Sequence, residues 1–126
     1  MTMMTKASWY AAACLAVLSS SSLVHAGEAD VIEARVNQNA AGTYDFTVTV
    51  QHADEGWNHY ADMWEVLDDQ GRVVATRVLH HPHVNEQPFT RGLTGVTLPG
   101  GRATYSVRAH DSVHDYGGQE VTVDLP

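Results

Sequence analysis

The sequence predicts an all-β fold, a seven-stranded immunoglobulin or fibronectin type III-like sandwich spanning residues 27–126. Three observations point to it. Short runs alternate apolar with polar residues, clusters of Gly, Pro, Asn and Asp separate the runs, and no stretch keeps a helical period. Residues 1–26 read as a signal peptide that is cleaved ahead of the domain.

The first run, Val31 to Val36, is followed by the turn Asn39-Ala40-Ala41-Gly42 and the second run, Tyr44 to His52. There Tyr44, Phe46, Val48 and Val50 share one face and Asp45, Thr47, Thr49 and Gln51 the other, so one side meets a core and the other water. Tyr60 to Leu67 carries Trp64, placed to be the central core tryptophan of such sandwiches. Asp68-Asp69-Gln70-Gly71 is a tight turn into Val73 to Leu79. The fifth run, Phe89 to Leu98, is expected to break near Gly92 to Gly95, and Pro99-Gly100-Gly101 leads into the sixth, Ala103 to His110. Ala103, Tyr105, Val107 and Ala109 oppose Thr104, Ser106 and Arg108 in that run, and Gln119 to Leu125 closes the domain.

The leader has one cation, Lys6, an apolar core from Trp9 to Leu18, and Val24-His25-Ala26 before the expected cut at Gly27. Its apolar core is too short for a membrane span, which needs roughly twenty residues, so the expected destination is the periplasm or the exterior. Cys14 follows Ala11-Ala12-Ala13, which lacks the leading leucine of a lipid-attachment box. With Cys14 removed the domain has no cysteine, which excludes disulfides, thiolate nucleophiles and cysteine zinc sites. Fifteen Asp and Glu against seven Lys and Arg give a net charge of -8 and argue against nucleic acid as a partner.

Histidine is the unusual feature. In a chain of strands running alternately up and down, successive connections fall at alternate ends of the sandwich. The first, third and fifth connections hold no histidine, whereas the second, fourth and sixth hold His52, His59, His80, His81, His83, His110 and His114. All of these are therefore expected at one end. His52 continues the inward parity of the second run. Pro82 extends the chain at His81, so His81 and His83, at i and i+2, point the same way and are the expected paired ligands, with His80 pointing oppositely. His52 or His59 and His110 or His114 would complete the shell.

Around them, Asp54 suits an Asx-turn, Trp57 a plug over the sandwich end, and Asp111 and Asp115 solvated loop acids or outer partners of ligating imidazoles. Asp62, Glu86, Arg91 and Tyr116 are further outer-shell or partner-contact candidates. Imidazole and carboxylate without thiolate favour copper(II), zinc or nickel, and no serine elbow or catalytic carboxylate pair supports an enzyme. The expected function is divalent copper or zinc binding. The alternatives are a protein-binding module, with a periplasmic protein as partner and Trp57, Tyr60, Phe89, Arg91 and Tyr116 as its surface, or a small metalloenzyme.

The blocks His52-Ala-Asp-Glu-Gly-Trp-Asn-His-Tyr-Ala-Asp62 and His81-Pro-His-Val-Asn-Glu-Gln-Pro-Phe-Thr-Arg91, with Gly117-Gly118, resemble those of small secreted bacterial sandwich proteins of uncharacterised activity. The architecture is also similar in kind to periplasmic copper-binding sandwiches of the CopC type, which coordinate through an amino-terminal histidine. Here the expected terminus is Gly27, so only the fold carries that likeness.

Overall fold

The computed structural model describes residues 27–99 and 103–126; the signal-peptide expectation and Cys14 lie outside them. Seven strands form, all antiparallel to their neighbours: β1 (Asp30–Gln38), β2 (Tyr44–Gln51), β3 (Ala61–Leu67), β4 (Val73–Val78), β5 (Phe89–Val96), β6 (Thr104–Asp111) and β7 (Val121–Asp124). They divide into a three-stranded sheet, β1-β2-β5, and a four-stranded sheet, β4-β3-β6-β7. No helix among the described residues is long and apolar enough to cross a membrane.

Period-two patterning sets which side chains fill the space between the sheets. Tyr44, Phe46, Val48 and Val50 of β2 and Tyr105, Val107 and Ala109 of β6 are buried, as their alternation requires, and meet Phe89, Val31 and Val66 across the core. Trp64 is fully buried at the centre of β3. Burying side chains of this size contributes about 1.5–3 kcal/mol each, so these few residues dominate the stability of so small a domain. The fifth run does not break. Its glycines are accommodated in a continuous β5 by a bulge against β2, where Tyr44 pairs with Val96 but Phe46 with Leu93, and Asp45 Oδ1 accepts a hydrogen bond from Gly95 N at 3.0 Å.

The two ends of the sandwich differ. At one end the β1–β2 and β3–β4 turns satisfy their own backbones: Asn39 Oδ1 accepts from Ala41 N and Thr43 N, and Asp68 Oδ1 accepts from Gln70 N and Arg72 N. At the other end the β2–β3, β4–β5 and β6–β7 connections are longer, and side chains cross between them. Ahead of β1, residues 27–30 lie along the β6–β7 loop, tied there by Val31 N to Gln119 O at 2.9 Å and Gln119 N to Asp30 Oδ1 at 2.7 Å.

Candidate metal centre

The inward parity of β2 and of β6 runs one residue beyond the apolar core. After Val50 the next inward position is His52, and after Ala109 it is Asp111, and both side chains are wholly buried between the sheets. His52 Nε2 lies 3.0 Å from Asp111 Oδ2. The β2–β3 loop folds back through Glu55 N to His59 O and His59 N to Gly56 O, which brings His59 Nε2 to 2.7 Å from the same Asp111 oxygen and 3.2 Å from His52 Nε2. The carbonyl oxygen of Gly27 closes the group, 2.9 Å from His52 Nε2 and 3.0 Å from His59 Nε2. Among the described residues, His52, His59 and Asp111 are the only three or more His, Cys, Asp or Glu side chains whose ligand atoms converge in this way.

Outer hydrogen bonds fix which ring nitrogen faces inward. Asp54 Oδ1 accepts from His52 Nδ1 at 2.5 Å and so turns His52 Nε2 toward the cluster. Asp54 is itself held by Ala61 N on Oδ1 and His83 N on Oδ2, at 3.0 and 2.7 Å, so it ties two connections together instead of forming the expected Asx-turn. Asp111 uses Oδ1 to accept from the amides of Val113 and His114, which shapes its own loop, and turns Oδ2 toward the imidazoles. His114 Nδ1 lies 2.9 Å from that Oδ2, on the more exposed side.

The centre sets one buried carboxylate among three imidazoles. Burial alone would push the Asp111 carboxyl up, but bonds from the His114 side chain and backbone and from His59 and His52 pull it down to about 2. Burial would lower His59, and the bonds to Asp111 and Gly27 with the charges of Asp111 and Glu55 outweigh it and raise its pKa. His114 is raised by its bond to Asp111. With both Nε2 atoms presenting lone pairs, the four atoms repel unless positive charge sits among them, and that charge can be protons on the imidazoles or a metal ion.

The remaining candidates fall into two other groups. His110 lies on the outer face of β6, its Nδ1 2.5 Å from Asp62 and its Nε2 3.1 Å from Asp115, with Tyr116 against its ring edge. Both its nitrogens are thus engaged by carboxylates. Tyr116 also donates to Glu65 and lies under Arg108. His81 and His83 do lie side by side, ring centroids 4.6 Å apart, but they are not part of the converging group. His83 is stacked flat on Phe89 at 4.1 Å, and both its nitrogens are buried without a hydrogen-bond partner. Burial, then Arg91 and His81, lowers its pKa. His80 and His81 are exposed, and Glu86 accepts from Arg91 at 3.0 Å beside them.

Three further sequence expectations change. Trp57 is 67% exposed and touches Tyr60 edge-on, so it plugs nothing. Phe89 is a core residue at 1% exposure, unavailable to a partner. Asp111, expected among solvated loop acids, is fully buried at the hub of the centre. The Gly27 carbonyl was beyond side-chain reasoning altogether.

No family model and no solved structure matches the chain. It is 38% identical over 97 residues to a Halomicrobium mukohataei protein described as a "Putative lipoprotein". The match covers 77% of this chain and 47% of that protein, so the chain spans about half the length of its relative.

Proposed function

We propose that the protein binds one divalent transition metal ion, zinc in preference to copper(II), through His52 Nε2, His59 Nε2, Asp111 Oδ2 and the Gly27 carbonyl oxygen. The observation that carries this reading is the spacing of those four atoms. Five of the six distances among them lie between 2.7 and 3.2 Å. A tetrahedron of ligands at roughly 2.0–2.1 Å from zinc has six edges of roughly 3.3–3.4 Å, a little wider than these. A square-planar copper(II) set would need two diagonals of roughly 4.1 Å, and five short distances leave no place for them. Asp54 behind His52, with Glu55 3.7 Å from His59 Nδ1, supplies the carboxylate backing usual for ligating imidazoles.

Four protein donors meet the usual coordination of a structural zinc site, which favours holding or sequestering the ion over catalysis. The strand order supports a fibronectin type III-like sandwich, because β4 lies beside β3 and not at the edge of the β1-β2-β5 sheet as in an immunoglobulin constant domain. The leader pattern and the lipoprotein description of the relative support an envelope or secreted location. A second reading, a partner-binding surface, is favoured by Trp57, Val84, Val113 and Tyr116, exposed apolar residues on the three connections that surround the centre. Elemental analysis of the untagged protein tests the proposal: about one zinc per chain, lost in His52→Ala, is expected. No metal in the parent protein at neutral pH, with zinc supplied during growth, would leave the partner surface as the better account.

A further inference from the structure

Resting on that reading, we infer that Gly27 is a two-point ligand: its carbonyl oxygen binds the ion and, once residues 1–26 are removed, its free amino nitrogen binds as well, so that maturation completes the site. Two independent observations meet at this residue. The sequence pattern places the expected cut immediately before Gly27, and the fold places the Gly27 carbonyl 2.9 and 3.0 Å from the two inward imidazole nitrogens. An amino nitrogen and a carbonyl oxygen of one residue are joined through the α-carbon and the carbonyl carbon. Together with a metal they close a five-membered chelate ring when amine and carbonyl oxygen lie on the same side of the α-carbon–carbonyl bond, a single rotation in a residue whose carbonyl is already held at the site.

The surroundings are shaped to hold this segment. Gly117 and Gly118 form a slot for it: a β-carbon on Gly118 would lie 2.6 Å from the Ala29 carbonyl carbon and 2.8 Å from Asp30 Oδ1, and one on Gly117 2.8 Å from Glu28 Oε1. Gly27 itself has φ of +110°, and a β-carbon there would come within 3.0 Å of both His114 nitrogens. The Gly117-Gly118 pair thus does more than return the chain into β7. It seats residues 27–30 so that the first carbonyl reaches His52 and His59. A fifth donor from the amine is compatible with zinc, which accepts five-coordination.

The composition makes a clean experiment possible. Lys6 is the only lysine, so a chain beginning at Gly27 has one amine, the terminal one. The full chain is expressed with its leader in a secreting bacterium, purified untagged, and its terminus identified by intact mass. The protein is then acetylated with an amine-selective reagent in the presence and absence of zinc, and zinc affinity is measured by competition with a chromophoric chelator before and after modification. Expected results are a terminus at Gly27, acetylation slowed at least about tenfold by zinc, and zinc affinity reduced by about 10–100-fold in the acetylated form, the scale on which even outer partners of a metal act. Zinc bound equally well by free and acetylated forms, with no protection, overturns the inference and leaves the metal proposal standing. A mature mass that retains residues before Gly27, including a lipid on Cys14, overturns it as well. If the unmodified protein binds no zinc, the proposal of a metal centre fails and this inference with it.

Discussion

His52 and His83 are both buried histidines at the same end of the sandwich, and they are opposites. His52 has an outer carboxylate on one nitrogen and a converging set of acceptors on the other; His83 has no partner on either nitrogen and lies flat on Phe89. Burial of an imidazole is therefore not in itself a sign of a site. What separates them is where their strands deliver them: His52 and Asp111 end inward-facing rows on opposite sheets and meet across the core, whereas His81 and His83 are neighbours within one loop. Adjacent spacing gave two rings in contact, but convergence of lone pairs required elements distant in sequence.

The largest expected effect breaks this comparison at the metal. His52→Ala and His59→Ala should each weaken zinc binding by more than about 100-fold, beyond the range set by loss of an outer partner, while His81→Ala and His83→Ala change it by less than about threefold. Calorimetric titration of the four variants measures it, and equal losses in both pairs would merge the two groups.

Next comes stability without metal. Asp111→Ala removes the anion at the centre of three imidazoles and leaves its buried partners uncompensated, which should cost about 3 kcal/mol in denaturant unfolding of chelator-treated protein. His83→Leu should be neutral or stabilise by up to about 1 kcal/mol, since it replaces an unpaired buried polar ring by an apolar group of similar size.

Acidity sharpens the contrast further. His59, His110 and His114 have folded pKa values above the unfolded one, so what they contribute is fully present below about 6.5 and is lost as pH rises through their folded values. Asp111 is lowered to about 2, so its contribution is present above the unfolded value of 3.8 and is lost as pH falls toward 2. His83 runs the other way from the raised histidines, because a buried neutral ring penalises folding once the unfolded chain protonates below about 6.5. Metal-free protein should therefore melt at a higher temperature at pH 5.5 than at pH 8, and zinc, which takes the neutral imidazoles, should raise the melting temperature far more at pH 8 than at pH 5.5. A zinc effect independent of pH would point to carboxylate ligands alone. The smallest effect belongs to the exposed rim: Trp57→Ala should alter stability by less than about 0.5 kcal/mol.

Much of this was legible in the chain itself. The seven runs correspond to the seven strands because alternation on β2 and β6 is strict, and the histidine loops share one end because the strands alternate in direction. Extending the parity of β2 reaches His52, and the same extension of β6, from Ala109 past His110 to Asp111, reaches the hub. By residue type alone, an acid at a strand end next to a histidine resembles an ordinary loop residue. The β5 bulge, the packing of His83 on Phe89 and the Gly27 carbonyl depend on register and on main-chain placement, for which side-chain types carry no signal.

The most direct test of the central claim is anomalous diffraction at the zinc edge from crystals of the untagged protein grown with zinc. The account predicts one peak per chain, within about 2.0–2.2 Å of His52 Nε2, His59 Nε2 and Asp111 Oδ2 and in contact with Gly27. A peak between His81 and His83, or at His110 with Asp62 and Asp115, and none at Asp111 would contradict it.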